Sequence, residues 1–187
     1  MSRFGIRQTP ISGLSVLERK LLADQRGHLE RLFCADDLHD VLEPGAQIAQ
    51  INKTLTLRSG SVRGLHFQYP PFAETKLVTS LSGEVLDVAV DLRANSPTFL
   101  KWHGERLNAS RHTTLVIPRG FAHGFQTLSD DVVMLYFHTA PYMPSAEGTI
   151  HYRDPRIGIE WPMEVTDVSE KDDRYAYLPD TFAGLQL

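Results

Sequence analysis

Residues 83–93 read Gly83-Glu84-Val85-Leu86-Asp87-Val88-Ala89-Val90-Asp91-Leu92-Arg93. Leu86, Val88, Val90 and Leu92 alternate with Asp87, Ala89 and Asp91, the period of two expected of a half-buried β-strand. The same period recurs on both sides. Val132, Met134, Tyr136 and His138 oppose Val133, Leu135 and Phe137, and Ile48, Gln50 and Asn52 oppose Ala49 and Ile51. Shorter strands are expected at 14–21, 28–33, 61–67, 76–82, 98–106 and 113–117. Turn residues fall between them at Arg58-Ser59-Gly60, Ser82-Gly83, Asn95-Ser96-Pro97 and Pro118-Arg119-Gly120. Many short strands at near-regular spacing predict an all-β sandwich or barrel. One helix is expected, from Ala35 to Leu42, with Asp36 and Asp37 favouring its start and Pro44-Gly45 stopping it. The last 35 residues have weak periodicity and are expected to wrap the barrel in short helical or irregular pieces.

The chain has 187 residues, 42% of them apolar and 22% charged, with 19 Lys+Arg against 23 Asp+Glu and a formal charge of −4. This predicts a single domain spanning 1–187, able to bury roughly 70% of its extended-chain surface without a metal or disulfide to hold a core. The mild acidity speaks against a nucleic-acid partner. A lone cysteine, Cys34, excludes an internal disulfide and a thiolate zinc cluster. The opening MSRFGIRQTP lacks the apolar core of a signal peptide, and no apolar run approaches membrane-spanning length, so a cytoplasmic protein without a membrane partner is expected.

Two clusters carry chemistry. The first is Ser61-Val62-Arg63-Gly64-Leu65-His66-Phe67-Gln68, followed by Lys76, and the second is Ile117-Pro118-Arg119-Gly120-Phe121-Ala122-His123-Gly124-Phe125. Each sets a histidine beside a glycine in a strand, where glycine permits a bend or close backbone approach. Pro-x-Gly-x-x-His resembles the second motif of cupin barrels. A metal-binding cupin would need more ligands than His66, His123 and a doubtful Glu74 supply. Acid–base chemistry needs less: a histidine base with a carboxylate to orient it, a donor such as Lys76 for an enolate oxygen, and an acid such as Tyr136 on the other side. Arg26, Arg31, Arg63, Lys76 and Arg119 offer donors to an anionic ligand. Gln50 and Asn52 present amides on one face, and Tyr142, held between Pro141 and Pro144, could stack on a base.

Taken together these segments resemble the dTDP-4-dehydrorhamnose 3,5-epimerase family. The resemblance runs in order from about residue 5 to about residue 175, and rests above all on Arg63-Gly64-Leu65-His66, Pro118-x-Gly120-Phe121-x-His123-Gly124-Phe125 and Ser169-Glu170-Lys171-Asp172. It implies a double-stranded β-helix (jelly-roll, cupin-like) barrel with short flanking helices, a homodimer with swapped edge strands, and neither metal nor other cofactor. It implies epimerisation of a nucleotide-diphosphate-linked 4-keto-6-deoxyhexose at C3 and C5. By the family pattern His66 is the base, oriented by Asp172 with Asp173 as the neighbouring alternative, and Tyr136 is the acid. Lys76 and His123 contact the sugar and its developing oxyanion. Arg26, Gln50, Asn52, Arg63, Glu147 and Lys171 are nucleotide-sugar contacts, and Tyr142 stacks on the base. Arg31 stands where the family places a nucleotide-contacting glutamate, with Glu30 one position earlier; it is taken as a substrate contact, one that fits another nucleotide sugar. A C3-only epimerase or a 3,4-ketoisomerase shares this chemistry. A metal-dependent cupin oxygenase and a non-catalytic sugar-nucleotide binder are the readings outside it.

Overall fold

A computed structural model describes residues 2–187. Two sheets face each other as a jelly roll. The first contains, in spatial order, β1 (Phe4–Gln8), β2 (Ser15–Arg19), β10 (Thr113–Ile117), β7 (Lys76–Ser82), β12 (Val132–His138) and β5 (Gln50–Thr56). The second contains β13 (Glu147–Thr149), β6 (Ser61–Gln68), β11 (Phe121–Thr127), β8 (Glu84–Asp91) and β9 (Trp102–Asn108), with β14 (Asp167–Val168) running parallel to β6. A separate hairpin, β3 (Leu21–Asp24) and β4 (Gly27–Glu30), stands off the first sheet. No helix is long and apolar enough to cross a membrane among the described residues.

Apolar side chains pack in three layers. Val16, Val78, Leu115 and Met134 from the first sheet meet Val85, Ala89, Leu107 and Phe125 from the second between the sheets. Behind the second sheet, the segment after β13 lays Ile150, Ile157 and Leu185 over Leu65, Val88, Val90 and Leu92. Behind the first sheet, Leu38 and its neighbours cover Leu17, Leu77, Val116 and Phe137. The central strands are therefore buried on both faces, and each fully buried leucine contributes about 2 kcal/mol of transfer free energy.

This layering changes the reading of the 83–93 stretch. The strand is there, but its apolar face turns outward under the C-terminal segment, and its polar face turns into the barrel, with Asp87 and Asp91 fully buried. The helix expected over 35–42 is reduced to a 3-10 turn at Asp36–Leu38. No side chain caps it, and Leu38, Val41 and Leu42 follow the shape of the sheet they cover, so tertiary contact overrides propensity. β9 starts later than expected because Asp91 accepts hydrogen bonds from Ser96 (2.5 Å) and Thr98 (2.7 Å), holding that segment as a loop.

The decisive irregularity is in β6. His66 pairs with His123 and Arg63 with Phe125, so β6 takes three steps where β11 takes two. The extra residue is a bulge. Gly64 sits in it at φ +123°, and a Cβ there would lie 2.6 Å from the Cα of Gly124. Arg63 and His66 would point to opposite faces of an unbroken strand; across the bulge both face one cavity.

Gly64→Ala is expected to destabilise the fold by about 3 kcal/mol, from backbone collision added to an unfavourable φ. Gly158→Ala, also at positive φ but with no contact closer than 4.0 Å, should lose only about 1 kcal/mol. Urea unfolding of both variants tests this; equal losses would mean that the Gly64–Gly124 contact contributes nothing.

Candidate active site

The cavity of about 210 Å³ opens between the sheets and is walled by Asn52, Arg63, His66, Lys76, His123, Tyr136 and His138, among others. A second, of about 280 Å³, continues past Asn52, His66, Lys76 and His138 to Gln50, Gln68, Tyr142 and Glu147. The walls come from both sheets: His66 and His123 stand on β6 and β11, Tyr136, Lys76 and Asn52 on β12, β7 and β5.

His66 is one-third exposed, and its Nε2 lies 3.1 Å from Asp172 Oδ1. Asp172 Oδ2 accepts the backbone N–H of Gly64 at 3.1 Å. The bulge thus frees one amide from the ladder, and the carboxylate that holds the imidazole takes it. Burial pushes the Asp172 carboxyl up, but its interactions with His66 and with the Gly64 amide outweigh it, and it rests below the usual carboxylate range. With Nε2–H given to Asp172, Nδ1 of His66 carries a lone pair. Asp173 turns elsewhere, accepting from Tyr152 Oη at 3.4 Å.

Tyr136 faces His66 from the opposite sheet. It is 8% exposed, and its ring lies between His123 and His138 at centroid distances of 6.1 and 6.2 Å. Its hydroxyl is 3.4 Å from Thr54 Oγ1. Burial pushes this phenol far above its ordinary range, and the nearby Asp87 adds to that, so it keeps its proton at neutral pH. His123 Nε2 lies 2.7 Å from Asp87 Oδ1, contributed by the inward face of β8. Lys76 is buried, with Nζ 3.4 Å from Glu74 Oε1. Arg63 crosses between the sheets, donating to Thr56 Oγ1 at 3.0 Å.

At the outer end Gln50 Oε1 accepts the N–H of Tyr142 at 3.0 Å, and Gln68 Oε1 accepts that of Met143 at 2.6 Å. Two amides thereby hold the loop that presents the half-exposed Tyr142 ring. Glu147 and Lys171 pair at 2.8 Å on the rim. Of the expected contacts, Arg26 and Arg31 are not brought to the cavity of their own chain. Arg26 pairs with Asp24 (2.6 Å) at the tip of the exposed β3–β4 hairpin, and Arg31 with Asp37 (3.1 Å). Glu30 anchors that hairpin by pairing with buried Arg19 at 2.6 Å and with His112 at 3.1 Å.

From the sequence, Gln68, Asp87 and His138 have no assigned role in the site, and Glu74 only that of a doubtful metal ligand. His138 could have been found, since it shares a face with Tyr136 two residues away. The trio His66, Glu74 and His123 does not converge: each is committed to a different partner, and no group of three His, Cys, Asp or Glu side chains arranged to hold a metal ion occurs among the described residues. Chemically the cavity offers an imidazole with an available lone pair on one wall, a protonated phenol on the other, and the cationic donors Lys76 and Arg63 between them.

Comparison with known proteins agrees with this chemistry. The family model described as dTDP-4-dehydrorhamnose 3,5-epimerase matches residues 8–180. The dTDP-4-dehydrorhamnose 3,5-epimerase of Sinorhizobium fredii is 43% identical over 166 residues, covering 85% of this chain and 84% of its own. That of Salmonella typhimurium is 41% identical over 166 residues, covering 88% and 90%. Among solved structures, the Legionella pneumophila dTDP-6-deoxy-D-glucose-3,5-epimerase in complex with dTDP-4-keto-L-rhamnose superposes with a TM-score of 0.89 at 37% identity, covering 98% of both chains.

Two measurements check the electrostatics. The wild-type minus Tyr136→Phe difference in phenolate absorbance should stay flat through pH ~10, where an ordinary tyrosine is half ionised; phenolate appearing there would contradict the buried, protonated phenol. Asp172, held low in the folded state, adds stability that is complete above the unfolded carboxylate value of ~4 and is lost as pH falls below it. Asp172→Asn should therefore flatten the acid limb of a stability-against-pH curve, and an unchanged slope would show that the carboxylate is not held low.

Proposed function

Given that the chain belongs to the dTDP-4-dehydrorhamnose 3,5-epimerase family, and is an isomerase of a nucleotide-linked 4-keto-6-deoxyhexose acting at C3 and C5, we propose that His66 and Tyr136 exchange the ring protons from opposite walls of the cavity. The observation that carries this is their placement, an oriented imidazole on one sheet and a protonated phenol on the other.

The ketone at C4 makes the C–H bonds at C3 and C5 acidic. Nδ1 of His66 takes the proton, and Asp172 stabilises the imidazolium that forms. Charge develops on the C4 oxygen, where Lys76 donates a hydrogen bond, and His123 contacts the sugar beside it. Tyr136 then returns a proton to the other face, which inverts the carbon. A second cycle treats the other position. No net oxidation occurs, so this chemistry asks for no redox partner.

Arg63 and Lys171 hold the diphosphate, Gln50, Asn52 and Glu147 make polar contacts along the nucleotide sugar, and Tyr142 stacks on the base, with dTDP as the nucleotide. The protein works as a cytoplasmic homodimer of one-domain chains. Leu22 and Leu29 on the hairpin and Ile51 and Leu55 on β5 are about half exposed, and such apolar surface suits a second copy. The swapped hairpin brings Arg26 to the partner's cavity, and Arg31 lies at its base.

In D2O with the nucleotide-linked 4-keto-6-deoxyglucose, the wild type should incorporate deuterium at C3 and C5 with inversion. His66→Asn should lower exchange at both positions at least ~10²-fold. Tyr136→Phe should keep taking up label while forming little inverted product, because the first face still exchanges. Full inversion in Tyr136→Phe, or undiminished exchange in His66→Asn, would overturn these roles.

A further inference from the structure

Three imidazole–carboxylate pairs border this cavity, and the proposed chemistry uses two of them. The third is His138 with Glu74. His138 stands on β12 two residues beyond Tyr136, directly across the ladder from Lys76 on β7. Its Nδ1 is 3.0 Å from Glu74 Oε2, and Glu74 Oε1 is the atom 3.4 Å from Lys76 Nζ. The side chains of His138, Lys76 and Glu74 are 12%, 11% and 8% exposed. Burial pushes the Glu74 carboxyl up, but the His138 hydrogen bond and the Lys76 charge outweigh it, so Glu74 is an anion. An ionised carboxylate can only accept, which places the imidazole proton on Nδ1. Nε2 of the neutral ring is then an acceptor. It is buried and has no partner among the described residues.

Lys76, the neighbour of His138, can only donate, so the wall presents an acceptor beside a donor. The acceptor complements a ligand group that carries its own proton, which on a keto-hexose is a hydroxyl. Position narrows the choice. His138 belongs to the wall shared by the inner cavity, with Tyr136 and His123, and the outer one, with Tyr142 and Glu147. With the reacting carbons at His66 and Tyr136 in the inner cavity and the base on Tyr142 in the outer, as the proposed function has it, the shared wall faces the ring carbons on the nucleotide side. C1 is esterified, so the first free hydroxyl there is on C2.

Resting on that reading, we propose that Glu74 and His138 form a specificity element that recognises the hydroxyl on C2 of the sugar. Glu74 is the positioning residue, and His138 Nε2 makes the contact. A buried acceptor left without its donor is costly, so the site discriminates against 2-deoxy sugars.

The test compares the nucleotide-linked 4-keto-6-deoxyglucose with its 2-deoxy counterpart, following solvent deuterium at C5, the exchanging carbon remote from C2. The wild type should favour the hydroxylated sugar by about tenfold or more in kcat/KM. His138→Asn keeps a donor for Glu74 and lacks an atom at the Nε2 position; it should bring the two sugars within about twofold while leaving affinity for the nucleoside diphosphate unchanged. His138→Gln, whose amide reaches the Nε2 position, should restore part of the preference. Glu74→Gln, nearly isosteric, should also reduce it by releasing the tautomer, and serves if the His138 variants fold poorly. A wild type that treats both sugars alike overturns the inference. So does a His138→Asn variant slowed equally on both, which would mean structural support, or one with weakened nucleoside diphosphate binding, which would mean phosphate recognition. Wild-type protein that exchanges no ring proton of the hydroxylated sugar would instead overturn the epimerase reading beneath it.

Discussion

The site depends on two glycines that touch. Gly64 and Gly124 bring the backbones of β6 and β11 closer than any side chain would allow, and the extra residue of β6 is absorbed there. From this one contact follow the shared orientation of Arg63 and His66, the pairing of His66 with His123 across the ladder, and the free amide of Gly64 that helps to hold Asp172. Without the bulge, the chain could build the same two sheets and still have the guanidinium and the imidazole facing different ways.

The electrostatic arrangement follows a single pattern. Each histidine of the cavity is held at one nitrogen by a buried carboxylate from a distant part of the chain: Asp172 for His66, Asp87 for His123, Glu74 for His138. A buried carboxylate is expensive unless it is paired and hydrogen-bonded. Here the imidazoles supply that compensation, and the carboxylates fix which ring nitrogen is left for a ligand. The inward turn of the polar face of β8 serves the same end, because it delivers Asp87 to the interior of the barrel.

Much of this was legible in the residues. Alternation gave the strands, the two histidine–glycine clusters gave His66 and His123, and the position of Tyr136 on a face with His138 was correct. What could not be read was which face of a strand looks inward once both are covered. For β8 the apolar side was the obvious core face, yet a segment some seventy residues later covers it. The carboxylate partners were hidden for a related reason: Asp87 and Asp172 meet their histidines across 36 and 106 residues, distances at which no local pattern operates. Asp172 entered through family resemblance alone. Arg26 and Arg31 show the converse, since their charge marked them as donors to an anionic ligand but a single chain carries them away from its own cavity.

The C-terminal segment that brings Asp172 to His66 is tied to β6 by the two-residue pairing of β14 and by the carboxylate itself. The sheets have far longer ladders. The same segment is also held by Gln126 on Met163 O (3.0 Å), by Thr166 on Ser59 O (2.7 Å) and by the burial of Ile150, Ile157 and Leu185. The carboxylate that orients the imidazole therefore rides on a layer of the core, and the base keeps its alignment for as long as that layer stays packed.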